Sequence, residues 1–516
     1  NLFVYTKFTL FVLGAVVRRS SFAIFHVMAV IVILVGLLTG PRLGIINHDF
    51  LAFLSPLLPQ GALLSMHVLF GCLLTLIAIA FTVATIRAPF HSAPSKFDKA
   101  VNYFGYLVIV LSIVTGWLLW LNPESLSLVI HGLSATGIFL YLVLHGIKHT
   151  VFKGKQVLSV LVPRNALILL CCSIALVYFC GLGIRLIVAE QHLRLEVAPL
   201  STQSHLEIDG KGDEPQWLRA KPIKLTTFGG ANFLDGSSEV EIKALSNHDE
   251  TFFLIRWQDP TESLEHLPLE KTSDGWQVQE NGFYRFDERT YYEDKFAIML
   301  STTCELGGDG TMQYGDAPLA DKPRNWHGKG YHASTDGRTR DLWHWKALRT
   351  NDMYLADDNF FGPPQSVALG QRRYTAGYQP DGKESGAYVM NWRWYSPTEV
   401  TPKRMPIPSP DITERKVLDW FASETYNPQR DMAKIGEQLP SVLYRSNRFE
   451  GDRADVRARG EWRDGYWTLE LVRKHQTHSP LDVELRSGVC MWVSAFDHAQ
   501  IAHTRHHRAI QLRYML

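Results

Sequence analysis

The chain has 516 residues, 46% of them hydrophobic, and carries 52 Lys and Arg against 51 Asp and Glu for a formal net charge of +1. That length exceeds one ordinary core, so two or more domains are expected. The charge balance leaves no basic excess to neutralise phosphates, which excludes nucleic acid as a partner. The six cysteines (Cys72, Cys171, Cys172, Cys180, Cys304 and Cys490) include no CxxC pair, so zinc-ribbon spacing and CxxCH-type covalent attachment are also excluded.

Residues 1–190 are dominated by apolar runs, whereas 200–516 read as a soluble protein rich in Trp, Tyr, Gly and charge. A bilayer core takes about 20 apolar residues per helix. Five segments reach that length: 21–40, 62–86, 101–121, 125–147 and 166–189. The shorter stretch 8–17 ends at Arg18-Arg19 and reads as interfacial, within an N-terminal segment 1–20. The first long apolar run reads as retained rather than cleaved. Lys7, Arg18 and Arg19 precede the first span, Arg87, Lys96 and Lys99 fill the second loop, and Lys153, Lys155 and Arg164 the fourth. The first loop holds only Arg42, and the third, 122–124, has no Lys or Arg. The N-terminus and even loops are therefore expected in the cytoplasm. Five spans then place everything beyond about residue 190 outside, which is the periplasm of a Gram-negative cell.

Four histidines fall inside these spans: His26, His67, His131 and His145. Ionisable side chains at membrane depth are costly and usually functional. His131 and His145 are 14 residues apart, close to four turns, so they share a helix face about 21 Å apart along the axis. The topology sets His26 and His145 near the inner surface, and His67 and His131 near the outer. Each depth-matched pair is able to clamp one haem iron through neutral imidazoles. Taken singly, each histidine is equally well read as a packed bundle residue bonded to backbone or Ser/Thr; four at matched depths favour ligation. His149, one turn past His145, reads as a solvated interfacial residue. Gly36, Gly40 and Gly116 suit either helix packing or the approach of a flat macrocycle.

The stretches SFAIFHVMAVIVILVGLLTG, LSMHVLFG and HGLSATGIFLYLVLHGIKH resemble the di-haem transmembrane cytochrome b subunits of respiratory hydrogenases and formate dehydrogenases. The resemblance implies two bis-histidine b haems and exchange of electrons with a quinone. Its four ligand positions fall on His26, His67, His131 and His145. No quinone-pocket motif matches residue by residue.

Beyond Glu190 the chain turns polar, and 191–205 read as a linker. EVEIKAL (239–245), TFFLIRW (251–257), KFAIML (295–300), GYWTLELVR (465–473) and CMWVSAF (490–496) read as strands, with a turn at Asp464-Gly465. Short strands broken by Gly, Asp and Pro predict a β-sandwich-like soluble domain over 206–516. The whole chain thus reads as a multi-domain membrane protein: an α-helical transmembrane bundle of about five spans, then a β-sandwich. Residues 304–455 are a long, weakly patterned insertion, and such loops are usually functional. The insertion offers His327, His332, His344 and Lys346, with Met299 and Met312 upstream. Trp343 and Trp345 flank His344, which suits a Trp-rich core or one edge of a haem pocket. HTRHHRA (503–509) is a cationic run with metal-attracting side chains, read mainly as a solvated strand end or loop. Cys304 and Cys490 would both face an oxidising compartment and are candidates for a disulfide.

FFLIRWQDPT, EDKFAIML, DLWHWKALR and the strands from GEWRDGYWTLELVR to SAFDHAQ resemble the haem-binding domain of ethylbenzene dehydrogenase gamma subunits. That resemblance implies a β-sandwich holding one b haem between a methionine and a lysine. Met299 matches the methionine; His344, Lys346 and Lys474 are candidates for the second position, with His344 favoured.

Together the halves imply electron transfer between a quinone or quinol in the bilayer and an extracytoplasmic redox partner, such as a molybdenum enzyme or c-type cytochrome. Two b haems are expected in the membrane and a third outside. No P-loop, GxSxG elbow, HExxH or dinucleotide-binding GxGxxG is present, so no bond-making centre is expected. The competing reading is a cytochrome anchor carrying a haem-free ligand- or partner-binding β-module. A weaker one is a structural anchor without haem in a respiratory or photosynthetic complex.

Overall fold

The computed structural model describes residues 25–43, 57–59, 63–87, 96–121, 125–153, 171, 175, 178–183, 192–201, 206–282, 287–309, 311–314, 331–334, 336–363, 377–381, 387–407, 416–446 and 451–515. The chain divides into two units, Asn1–Glu190 and Gln191–Leu516.

Among the described residues of the first unit, four helices are long and apolar enough to cross a membrane: α1 (Phe25–Leu43), α2 (Leu63–Arg87), α3 (Lys96–Leu121) and α4 (Ser125–Lys153). That is one fewer than the five expected. The anticipated fifth span, 166–189, lies mostly outside the described residues, as does the interfacial stretch 8–17. Most of each span's surface is apolar and uncovered, as a lipid-facing helix requires. α3 and α4 pack through glycines. A Cβ on Gly105 would lie 2.4 Å from the Tyr141 ring, and one on Gly137 2.7 Å from Val108. Small residues at such contacts let helix backbones approach closely. Lys148 closes the end of this pair by a 2.6 Å ion pair to Asp98.

The second unit opens with β1 (Leu193–Pro199), β2 (Ile223–Phe228), β3 (Ser237–Ser246), β4 (Glu250–Gln258), β5 (Leu269–Thr272) and β6 (Gly275–Val278). β7 (Lys295–Ser301), β8 (Thr311–Tyr314), β9 (Tyr331–Ser334), β10 (Arg340–Lys346), β11 (Asp357–Phe361) and β12 (Tyr378–Pro380) follow. Six short strands, β13 to β18, lie within 388–444; β19 (Arg457–Arg463), β20 (Tyr466–Lys474), β21 (Cys490–Phe496) and β22 (Ile510–Tyr514) complete the unit. Twelve strands form one sheet in the order β12-β11-β10-β7-β21-β22-β1-β3-β4-β20-β19, with β2 beside β3.

The sheet curls back on itself. Trp257 on β4 packs 4.6 Å from Phe296 on β7, and Trp345 on β10 packs 5.0 Å from Trp467 on β20. Alternate residues of these strands fill the space between the two layers. The result is the β-sandwich-like domain that the strand pattern predicts. β1 corrects the linker reading. LRLEVAP alternates, Leu195 and Val197 are buried, and the strand pairs in parallel with both β22 and β3. The stretch 304–455 is not wholly a loop, since it supplies β10, β11 and β12 to the main sheet. Asp464 and Gly465 both take positive φ (53° and 80°) at the β19–β20 turn, as a tight hairpin requires.

Candidate functional site

The four membrane histidines meet in two pairs. His26 on α1 and His145 on α4 have ring centres 6.2 Å apart, and His67 on α2 and His131 on α4 have theirs 6.0 Å apart. A metal sits about 2 Å from an imidazole nitrogen, and the ring centre lies roughly 1 Å further. Two axial imidazoles on one iron therefore hold their centres about 6 Å apart, which both pairs match.

The His67–His131 pair has an orienting layer that sequence reasoning missed. Thr39 Oγ1 donates its single proton to the Val35 carbonyl (2.8 Å) and lies 2.8 Å from His67 Nδ1. Thr115 Oγ1 donates to the Leu111 carbonyl (2.6 Å) and lies 3.0 Å from His131 Nδ1. A hydroxyl whose proton is already committed accepts from the imidazole, so each Nδ1 carries the hydrogen. Each Nε2 then presents a lone pair, the form a metal needs. A glycine follows each threonine. A Cβ on Gly40 would lie 3.4 Å from His67 Cε1, and one on Gly116 3.3 Å from His131 Cε1. Nothing lies within 4 Å of such an atom on Gly36. At the other pair, the Tyr141 hydroxyl lies 3.4 Å from His145 Nδ1, and His149 packs at a tilt with its ring centre 4.4 Å from that of His145.

In the second unit the candidates lie on the sheet face turned away from the layer interior. Register places Leu342, Met299 and Trp492 in one row, His344, Ala297 and Ser494 in the next, and Lys346, Lys295 and Phe496 in a third. Met299 is buried, and Thr311 Oγ1 approaches its sulfur at 3.8 Å. His344 Nδ1 lies 3.3 Å from the Tyr378 hydroxyl, while its buried Nε2 has no hydrogen-bond partner. Burial, then the charges of Lys346 and Lys295, hold this imidazole well below its ordinary pKa, hence neutral. Lys346 is committed elsewhere, to a buried ion pair with Asp357 and a 3.0 Å bond to the Tyr388 hydroxyl. Lys474 is the exposed last residue of β20, paired with Glu250 in register. His327 lies outside the described residues, as does the side chain of Met312.

Two further histidines join this face. His332 and His503 have ring centres 6.1 Å apart, the same separation as the membrane pairs. His503 Nδ1 donates to the Thr504 carbonyl (2.7 Å), which again leaves Nε2 as the lone-pair nitrogen. Burial lowers both pKa values, to about 4 for His332 and about 3 for His503, so both rings are neutral. The Phe496 ring lies 4.9 Å from His503 and 5.4 Å from His344, and Phe361 lies 5.4 Å from His332. The HTRHHRA run is thus not a solvated end. Paired hydrogen bonds between Arg505 and Phe228, and one from Thr504 N to the Ala495 carbonyl (2.9 Å), draw it onto the sheet. Lys295 adds a buried amine, which burial first and then the Arg349 charge hold well below its ordinary pKa. It donates to the Gln500 carbonyl (2.8 Å), lies 4.0 Å over Phe496, and forms no ion pair among the described residues. Neutral imidazoles, an open His344 nitrogen, aromatic walls and a buried amine that a carboxylate would charge fit an iron porphyrin with its carboxylates.

Cys304 and Cys490 are disulfide-bonded, with Cα atoms 5.5 Å apart, and so tie the turn after β7 to the start of β21.

The sequence profile of the family described as ethylbenzene dehydrogenase matches residues 214–508, more than half of the chain. The chain belongs to the ethylbenzene dehydrogenase family. The matched region of this family member takes in β2 to β21 together with the HTRHHRA run. Among solved structures the chain is similar to a family 9 carbohydrate-binding module from Caldicellulosiruptor kristjanssonii in complex with glucose. That likeness has 7% identity, covers 63% of this chain and 97% of that one, and has a TM-score of 0.24. A putative carbohydrate-binding protein from Bacteroides uniformis is similar at 8% identity, with 63% and 100% covered and a TM-score of 0.24. No curated protein matches.

Proposed function

We propose that this chain is a membrane-anchored b-type cytochrome that moves electrons between a membrane quinone pool and an extracytoplasmic redox partner. The observation that carries the reading is the meeting of four histidines from three apolar helices in two pairs, 6.2 and 6.0 Å apart. A b haem bound at such a pair supplies reversible one-electron exchange at its iron. His26 and His145 hold one group, and His67 and His131 the other. Thr39 and Thr115 keep the second pair in the ligating tautomer.

In the exported unit His503 and His332 would hold a third group, in preference to Met299, His344 or Lys346, because their rings repeat the spacing of the membrane pairs. His344 borders it with an open Nε2. Lys295, which donates to the Gln500 carbonyl, would also donate to the group's carboxylates, and the Phe361, Tyr378 and Phe496 rings would exclude water. The disulfide supports placing this unit in an oxidising, extracytoplasmic compartment, in agreement with the positive charges on the even loops.

Pyridine haemochrome quantitation of the purified chain tests this. About three b haems per chain are expected, and His67→Ala and His131→Ala each remove the same one, sparing the His26–His145 haem. Loss in His131→Ala of the haem shared with His26 would refute the pairing.

A further inference from the structure

Away from the histidine face, the second unit gathers a group of aspartates that the electron-transfer reading does not use. Asp341 lies on β10, Asp358 on β11, Asp381 just past β12, and Asp482 between β20 and β21. Asp341 and Asp358 have no exposed surface, Asp381 has 1%, and the Asp482 side chain has 4%. Carboxylate oxygens of Asp341, Asp358 and Asp482 all lie within 4.8 Å of one another. Asp381 is within hydrogen-bonding reach of Asp482.

Among the described residues, Arg473 is the cation that faces Asp341, Asp358 and Asp482. Arg473 bonds Asp341 Oδ2 at 2.5 Å and reaches Asp482 Oδ2 at 3.4 Å. Both oxygens of Asp358, Oδ1 of Asp341 and Oδ2 of Asp381 have no hydrogen-bond partner. Buried like charges at this separation repel strongly. With nothing else present, burial and that repulsion push Asp341, Asp381 and Asp482 up to about 6, and Asp358 well above its ordinary value. Protons alone would have to be shared among oxygens of Asp358 and Asp341 that make no hydrogen bond here. A cation at the centre uses the same lone pairs directly.

We propose that Asp341, Asp358, Asp381 and Asp482 form a calcium site that locks β10 and β11 to the loop between β20 and β21. The donors are all oxygens, which selects a hard cation, and Asp358 presents both of its oxygens. Calcium takes 6–8 oxygen ligands, bidentate carboxylates included, whereas magnesium keeps its waters and rarely occupies an all-protein cage.

The test uses the full chain purified in detergent and stripped with EGTA. Elemental analysis after re-addition of calcium chloride is expected to show one calcium per chain that Asp358→Asn loses. The unfolding midpoint of the wild type is expected to rise with calcium by at least about 2 °C, and that of Asp358→Asn to stay put. Should Asp358→Asn fail to fold, the wild-type calcium titration decides alone. An unchanged wild-type midpoint, an Asp358→Asn protein that keeps the calcium, or an equal rise with magnesium chloride overturns the proposal.

Discussion

Thr39 and Thr115 show how a residue acts on chemistry it does not touch. Each hydroxyl spends its proton on its own helix and receives one from a histidine of another. An acceptor at Nδ1 also makes the imidazole a stronger electron donor, which favours the oxidised metal. On the proposed reading, Thr39→Val therefore raises the midpoint potential of the haem at His67 and weakens its retention about 10–100-fold, while the haem at His26 and His145 stays unmoved. A potentiometric titration that separates the two haems reads both effects, and an unshifted haem at His67 would remove Thr39 from this role. Neither threonine stood out in the sequence. A threonine in an apolar helix bonds back to its own carbonyl, and only the crossing of α1 with α2 and of α3 with α4 reveals the second partner. Asp357 is the corresponding case in the exported unit. Burial acts to raise its pKa, but Lys346 and Arg453 outweigh that and hold it at about 2. Because the folded value lies below the ordinary one, the stabilisation is full above about pH 4 and is lost as pH falls toward 2. Asp357→Asn removes the carboxylate charge that the buried Lys346 and Arg453 share, and is expected to cost about 3–5 kcal/mol in denaturant unfolding at pH 7.

At the scale of elements, legibility followed length and periodicity. Apolar runs of about 20 residues name a membrane helix without help from context. β4, β7, β20 and β21 were equally plain, because each is a short run rich in apolar and aromatic residues, and the structure buries most of its positions. β1 was not, since seven residues beside a polar stretch carry too weak a pattern, and its burial comes from two parallel partners far along the chain. The HTRHHRA run misled for a related reason. Its charge is real, but hydrogen bonds to Phe228 and Ala495 override solvation. One covalent tie reinforces this region. The disulfide joins cysteines 186 residues apart, so it removes much conformational freedom from the unfolded chain. Cys490→Ser is expected to lower stability by about 2–5 kcal/mol, read as a shift of the denaturant midpoint under non-reducing conditions. The wild type with dithiothreitol should then match the variant.

For the molecule as a whole, the division at Glu190 makes a statement about coupling. Each unit has its own core and its own histidine pairs, so loss of one group should leave the others in place. His503→Ala is expected to remove about one haem of three, that of the exported unit, and to leave both membrane haems with unchanged spectra. His145→Ala should remove a different one, and the double variant both, additively. This experiment also separates the cytochrome from its rival. If the exported unit is a haem-free binding module, the wild type holds two haems and His503→Ala holds the same two. If the iron is held instead by Met299 and His344, His503→Ala keeps all three and His344→Ala loses one. The pairs within the membrane were readable from depth alone, because a helix fixes where its side chains lie along the bilayer. The exported pair was not, because His332 and His503 are 171 residues apart and meet only when β9 and the chain after β21 fold over one face of the sheet.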